Sequence, residues 1–322
     1  RVFLFAGSKG RRPEGEVVEI LEEGKREFVG LVEKNNKYAF VIVDKKIAPY
    51  DIFVAHEDLH GAKDGQKVIV RISDWPKKAK NPIGEVVEVL GDAGNHETEM
   101  HAILAEFDLP YRFPNPVEEY MKTISEEISD KEIASRKDFR NVTTFTIDPD
   151  NAKDFDDALS IQFLDNETYE VGIHIADVTH YVRPNTVLEE ETRLRATSVY
   201  LVDRVVPMLP EKLSNNVCSL RPKEDKLTFS AVFVMNKNAE VISEWFGRTV
   251  IHSDRRFTYE EAQTIIESKQ GDFVEEINTM DMLAKQLRTQ RFAKGAIAFD
   301  KKEVKFEIDA EGKPLGVFYK ES

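Results

Sequence analysis

Five aspartates fall within ten residues of the segment TTFTIDPDNAKDFDDALSI, residues 143–161: Asp148, Asp150, Asp154, Asp156 and Asp157. The flanks are apolar and rich in β-formers. A strand over residues 143–147 is expected to deliver Asp148 at its end, Pro149 stops it, and a second strand over 158–163 leaves the loop. Two carboxylates about 4 Å apart repel by roughly 4 kcal/mol at an effective dielectric of about 20. Several held together must protonate, splay into water or bind cations. Oxygen ligands with no His or Cys among them select Mg²⁺ or Mn²⁺. An EF-hand is excluded: counted from Asp148, Lys153 stands where the loop requires Gly and Leu159 where it requires a bidentate Glu. Paired divalent ions on carboxylates activate a water and stabilise a leaving oxygen in phosphodiester hydrolysis. No Ser-His or Cys-His nucleophile is evident in the sequence.

The elements that must hold this loop read as an α+β domain. Strands are expected near residues 143–147, 158–163, 169–175, 226–235 and 240–252, pairing with one another, and helices near 186–197, 258–268 and 273–291. The last helix is read from the 3–4 spacing of Ile277, Met280, Leu283 and Leu287. Thr258 and Glu261 form a capping box at the start of the one before it. His174 and Asp177 fall on or after the strand following the aspartates and read as structural or supporting groups.

Upstream, Pro13–Leu21 recurs as Pro82–Leu90 with seven of nine positions identical, 69 residues apart. Such self-similarity points to tandem modules, with residues 1–21 the last two strands of a first copy. Between the copies, strands over 25–34, 37–44, 51–54, 67–74 and 83–90 suit a five-stranded antiparallel barrel of the OB type. Tyr38 and Phe40 share one strand face, and Phe53 and His56 follow on the next strand. These segments are similar to the two aromatic RNA-contact motifs of cold-shock domains. Exposed aromatics there stack on unpaired bases, and Lys34, Lys37, Lys45 and Lys46 would track phosphates. Tyr38 is expected to be exposed, whereas Phe53 reads equally as surface or core. Lys37 replaces the glycine usual before the first aromatic.

Residues 92–140 read as a polar helical connector, with helices over 96–107, 116–128 and 130–134 interrupted by Pro110, Pro114 and Pro116. His56, His60, His96 and His101 make no ligand spacing. The net charge of −14 is uneven: residues 1–90 sum to +1, 91–190 to −15 and 191–322 to 0. The acid is therefore concentrated around the loop, where a cation would balance it. Apolar residues at 41% suffice for a core, and no stretch approaches eighteen consecutive apolar residues. The single cysteine, Cys218, leaves no internal disulfide and no multi-cysteine metal site. With no signal peptide at Arg1-Val-Phe-Leu-Phe5, a cytoplasmic protein is expected.

These motifs together resemble the ribonuclease II / ribonuclease R family and its RNB domain. Residues 146–159 (TIDPDNAKDFDDAL), 171–182 (VGIHIADVTHYV), 195–220 (RATSVYLVDRVVPMLPEKLSNNVCSL) and 221–233 (RPKEDKLTFSAVF) follow the family's order and spacing. The run through 205–220 is similar to ribonuclease R more than to ribonuclease II. The resemblance implies a processive Mg²⁺-dependent 3′→5′ exoribonuclease that releases nucleoside 5′-monophosphates from single-stranded RNA, with DNA not a preferred substrate. By position it implies that Asp148, Asp154, Asp156 and Asp157 are the catalytic and metal-binding aspartates, Asp156 the most sensitive to loss. It likewise implies that Tyr200 contacts RNA near its 3′ end and that Tyr259 lies beside the terminal nucleotide. It divides the chain into the end of a first cold-shock domain (1–21), a second (22–91), a connector (92–140) and the first part of an RNB domain (141–322).

The family's second RNB half supplies an arginine and a further carboxylate, and a C-terminal RNA-binding domain follows; their absence reads as a fragment with exposed apolar surface that lacks a transition-state charge partner. Two other readings stay open. One is a non-catalytic RNA-binding or regulatory protein that uses the barrel, against which the complete set of four aspartates argues. The other is a Ca²⁺-binding or acidic interaction module.

Overall fold

The structure, a computed structural model, describes residues 2–5, 14–19, 26–110, 112–165, 167–298, 302–309 and 314–321. It divides into two compact units, residues 1–111 and 112–322.

In the first unit, β1 (Val2–Phe5) and β2 (Glu14–Val17) form an antiparallel hairpin. Residues 6–13 and 20–25, which include Pro13, Ile20 and Leu21 of the repeat, lie outside the described residues. Then β3 (Glu27–Lys34), β4 (Ala39–Val43), β5 (Ile52–Val54), β6 (Gln66–Asp74) and β7 (Ile83–Asp92) close into a barrel in the order β3-β4-β5-β7-β6. Strict alternation builds it: Val32, Val41, Ile52, Val54, Val68 and Val70 point inward and are fully buried. The pairing Phe5↔Glu14 in the hairpin, moved on by the repeat spacing, falls on Asp74↔Ile83 in the barrel. Helix α1 (His96–Glu106), capped by the Asn95 side chain, closes the unit.

The second unit begins with α2 (Asn115–Thr123) and α3 (Asp130–Ala134). The helix expected over 116–128 is therefore shorter than its sequence suggested. Ile124 is extended, and Lys212 Nζ occupies the carbonyls of Met121 and Ile124 at 3.2 and 2.8 Å. Next come β8 (Lys137–Asp138), β9 (Thr144–Asp148), β10 (Asp157–Phe163), β11 (Thr168–Ala176), α4 (Val178–Tyr181), α5 (Val187–Arg195), β12 (Val199–Tyr200) and β13 (Val205–Val206). A π-helical turn over Lys212–Val217 precedes β14 (Asp225–Asn236), β15 (Val241–His252) and β16 (Arg255–Thr258). Helices α6 (Tyr259–Ser268) and α7 (Val274–Ala293) and the hairpin β17 (Lys302–Ile308)–β18 (Pro314–Glu321) follow. The seven-stranded sheet has the order β16-β9-β10-β11-β14-β15-β8, antiparallel through its centre with a parallel strand at each edge.

One face of the sheet packs on α2, α5 and the π-helical turn, around Val117, Leu188, Leu213 and Ile251. The other packs α6 and α7 on β9 and β16, around Phe145, Phe257, Ile265 and Ile277. On that same face Ile175 and its register partner Phe229 remain about half exposed. In α7, Ile277 and Leu283 are buried as their spacing predicts, but Leu287 is exposed.

Two buried polar systems lie inside the sheet. Arg136 and Asp177 form an ion pair at 2.7 Å with side chains 0% and 1% exposed, and Arg136 also donates to the carbonyls of Thr228 and Thr249. Burial works against the charge on Asp177. Hydrogen bonds from Thr179 and Arg136, with the charges of Arg136 and Arg248, outweigh it and hold the carboxyl below the usual range. The second system runs across β10, β11, β14 and β15. His174 Nε2 meets Ser160 Oγ at 2.8 Å, His174 Nδ1 meets Ser230 Oγ at 2.6 Å, and Ser230 meets Thr249. All four side chains are at or below 1% exposure, so neither serine is an accessible nucleophile and His174 is structural.

Burial lowers the His174 pKa from 6.5 to about 4. The unfolded chain therefore takes up this proton first, and stability is unaffected above pH 6.5 but falls as pH drops from 6.5 towards 4. The expected loss is about 3 kcal/mol over that window. Urea unfolding of the second unit at pH 7 and pH 5 should show it. A His174→Gln variant should lose this part of the pH dependence; an unchanged slope in the variant refutes the assignment.

Candidate functional site

The sheet topology brings the two ends of the acidic loop to the same end of adjacent strands. Asp148 is the last residue of β9, Asp157 the first of its antiparallel neighbour β10, and Thr258, the last of β16, sits in register with Asp148. The sequence reading placed Asp157 in the loop; here it already pairs with Ile175. The Asp156 carbonyl accepts from the Ala176 amide at 3.0 Å, so β11 fixes that end of the loop. Tyr200, on the short strand β12 and 68% exposed, donates its hydroxyl to Asp154 Oδ2 at 3.3 Å. Tyr259 opens α6 next to Thr258 and is 51% exposed. The expected capping box is present: Thr258 Oγ1 accepts from the Glu261 amide at 3.0 Å, and Glu261 Oε2 from the Thr258 amide at 2.9 Å.

Electrostatically the cluster is unbalanced. Asp148 is 8% exposed and its Oδ2 is buried without a hydrogen bond. Burial, with the charges of Asp157 and Asp154, pushes its carboxyl upward against the pull of the neighbouring Thr146 hydroxyl and of Arg256. Desolvation in the crowded loop and the charges of Asp154, Asp157 and Asp148 push Asp156 upward as well, although its side chain keeps access to solvent. Burial and the Asp154 carboxylate raise the Tyr200 phenol, so it stays protonated and donates. An unpartnered buried carboxylate oxygen and an all-oxygen donor set fit Mg²⁺ or Mn²⁺. Among the described residues, however, no three His, Cys, Asp or Glu side chains already converge as a ligand cage.

Two residues at this site were not singled out from sequence. Arg256 Nη2 donates to the carbonyls of Pro149 and Asp150, and Ser219 bonds the backbone on both sides of Asp154. A serine inside the apolar run Val217-Cys218-Ser219-Leu220 was the available signal, since a buried hydroxyl needs partners.

In the barrel, Tyr38, Phe40 and Phe53 form one cluster with ring centroids 5.6–5.9 Å apart. Phe53 points outward, half-buried between inward Ile52 and Val54, which settles it as a surface residue of the strand. Asn35 Oδ1 accepts from the amides of Lys37 and Tyr38, and His56 Nε2 lies 3.0 Å from the Asn35 carbonyl. His56 therefore braces the turn that presents Lys37 and Tyr38. Lys34 and Lys37 flank the β3–β4 turn at one end of β4, and Lys45 and Lys46 follow its other end. Among the described residues no helix is long and apolar enough to cross a membrane.

A family model for the RNB domain matches residues 136–322, and one for a cold shock domain matches residues 40–114. The chain belongs to the RNB-domain family. It is 37% identical to ribonuclease R of Thermotoga maritima over 313 residues, covering 95% of this chain and 44% of that protein. Its fold superposes on Mycoplasma genitalium RNase R in complex with ribose methylated single-stranded RNA with a TM-score of 0.88. That match covers 99% of this chain and 51% of the other at 22% identity. Yeast Ssd1, a pseudonuclease, shares the fold at a TM-score of 0.66 and 20% identity, over 91% of this chain and 38% of that one. The chain spans less than half the length of the curated relatives it matches.

Proposed function

We propose that the whole protein is a divalent-metal-dependent 3′→5′ exoribonuclease that hydrolyses single-stranded RNA to nucleoside 5′-monophosphates. Residues 141–322 are the first part of its catalytic domain, 22–91 a cold-shock barrel preceded by the end of another, and 92–140 the connector. The observation that carries this reading is that Asp148 and Asp157 terminate neighbouring strands on either side of the loop that carries Asp154 and Asp156, with the four carboxylates near enough to act on one another's charge. Those four would hold Mg²⁺, with Mn²⁺ an alternative, and the ions would supply water activation and leaving-oxygen stabilisation. Tyr200 reaches the cluster through Asp154 while leaving most of its ring open, which suits contact with the last nucleotides of the strand. Tyr259 opens α6 directly after Thr258, the register partner of Asp148, and would offer a second ring beside the terminal nucleotide.

The test is digestion of 5′-labelled single-stranded RNA with Mg²⁺ by the whole protein. A ladder shrinking from the 3′ end is expected. RNA that is bound and left intact would reject the reading and favour a non-catalytic RNA-binding protein.

In either case the barrel is expected to contribute. Tyr38→Ala and Phe40→Ala each remove one stacking surface worth about 1–3 kcal/mol per base. Each should weaken single-strand binding about 5- to 150-fold in a fluorescence anisotropy titration. Unchanged affinity in both variants would remove this face from the RNA path.

A further inference from the structure

The aspartate loop takes its shape from two side chains far along the chain. Ser219 is at 0% exposure; its Oγ donates to the Lys153 carbonyl at 3.0 Å and accepts from the Phe155 amide at 3.1 Å. One hydroxyl thus brackets Asp154 on both sides. The Leu220 amide adds a bond to the Phe155 carbonyl at 2.8 Å. Arg256, in register with Thr146 on the neighbouring strand, holds the other limb: its Nη2 donates to the carbonyls of Pro149 at 2.5 Å and Asp150 at 2.9 Å. Its guanidinium lies over the Phe155 ring, 5.6 Å from the centroid, and its Nε is buried without a hydrogen bond. A guanidinium kept in place with one donor unsatisfied needs an explanation beyond local stability.

We propose that Ser219 and Arg256 are positioning residues that fix the loop backbone so that its carboxylates are offered to a divalent cation as a set. The inference rests on the reading of the four aspartates as a metal site. The sheet anchors the ends of the loop, at Asp148 and at Asp156–Asp157, where the Ala176 amide donates to the Asp156 carbonyl. Between them, mutual repulsion drives the carboxylates apart, and the only local backbone bond is the Ala152 amide to the Pro149 carbonyl. Ser219 and Arg256 supply what the loop lacks: fixed partners on both limbs, from outside it. Partners one shell out from a metal typically change its affinity 10- to 100-fold when lost. Lysine at position 256 would keep the charge but not the planar fork.

The test is a Mn²⁺ titration followed by the electron paramagnetic resonance of free Mn²⁺, on the 322-residue chain and its Asp154→Asn, Ser219→Ala and Arg256→Lys variants. Metal-free thermal melts would run alongside. Asp154→Asn is expected to abolish or strongly weaken binding. Ser219→Ala and Arg256→Lys are expected to raise the Mn²⁺ dissociation constant at least about tenfold while still folded, and to leave RNA affinity unchanged. Wild-type Mn²⁺ affinity in both folded clamp variants, with Asp154→Asn weakened, overturns the proposal and leaves the metal site standing. Wild-type affinity in Asp154→Asn too would overturn the metal reading itself. Should Ser219→Ala fail to fold, Arg256→Lys decides alone.

Discussion

Exchanging Asp156 for asparagine is expected to slow RNA degradation by the whole protein about 10³-fold, some 4 kcal/mol of barrier, with RNA affinity nearly unchanged. The substitution keeps shape and volume and removes one charge at the point where four carboxylates influence one another. Asp156 is anchored by its own backbone to Ala176 rather than by its side chain, so folding should not suffer. Single-turnover digestion at saturating enzyme measures the chemical step, and filter binding measures the affinity. A variant that degrades RNA within tenfold of wild type would show that the chemistry lies elsewhere. Parallel loss of binding and rate would point to misfolding of the loop instead of lost catalysis.

Arg136→Met should cost about 3–5 kcal/mol of stability, because it strands the Asp177 carboxylate in the sheet without its partner. The exposed Arg248, 3.5 Å away, offers only partial compensation. The backbone carbonyls of Thr228 and Thr249 lose a donor at the same time. Combining Arg136→Met with Asp177→Leu removes both charges and should recover most of the loss, since well-packed apolar replacements of buried ion pairs are often neutral. Urea unfolding of the three proteins settles the matter. A single variant within about 1 kcal/mol of wild type would mean that water already reaches the pair.

Most of the framework was legible because its periodicities are local. The alternation through Val41 and Val43 marked a barrel strand, and Thr258 with Glu261 marked a helix start, before any contact was known. The carboxylate cluster was legible for the same reason: its members lie within ten residues. What failed was set by distant partners. The helix after Asn115 stops at Thr123 because Lys212 takes its last carbonyls, some 90 residues away. Leu287 keeps helical spacing yet meets solvent, while its neighbours Gln286 and Gln290 reach the turn between β14 and β15. The strand Arg255–Thr258 is four residues long and pairs across more than a hundred positions with β9. That pairing brings Arg256 to the loop and Tyr259 beside Asp148, and no window of sequence contains both.

The order in which the chain leaves the ribosome follows from the same long separations. Ser219 trails the residues it holds by about 65 positions, and Arg256 trails Asp150 by 106. At roughly 5–20 residues per second, the aspartates are exposed for about 5–20 s before Arg256 has been made. During that interval the nascent chain carries its acidic loop without the groups that give the loop its shape. A cluster assembled from one short segment would be complete as soon as it emerged. This one stays unfinished until the sheet has closed on its outermost strand.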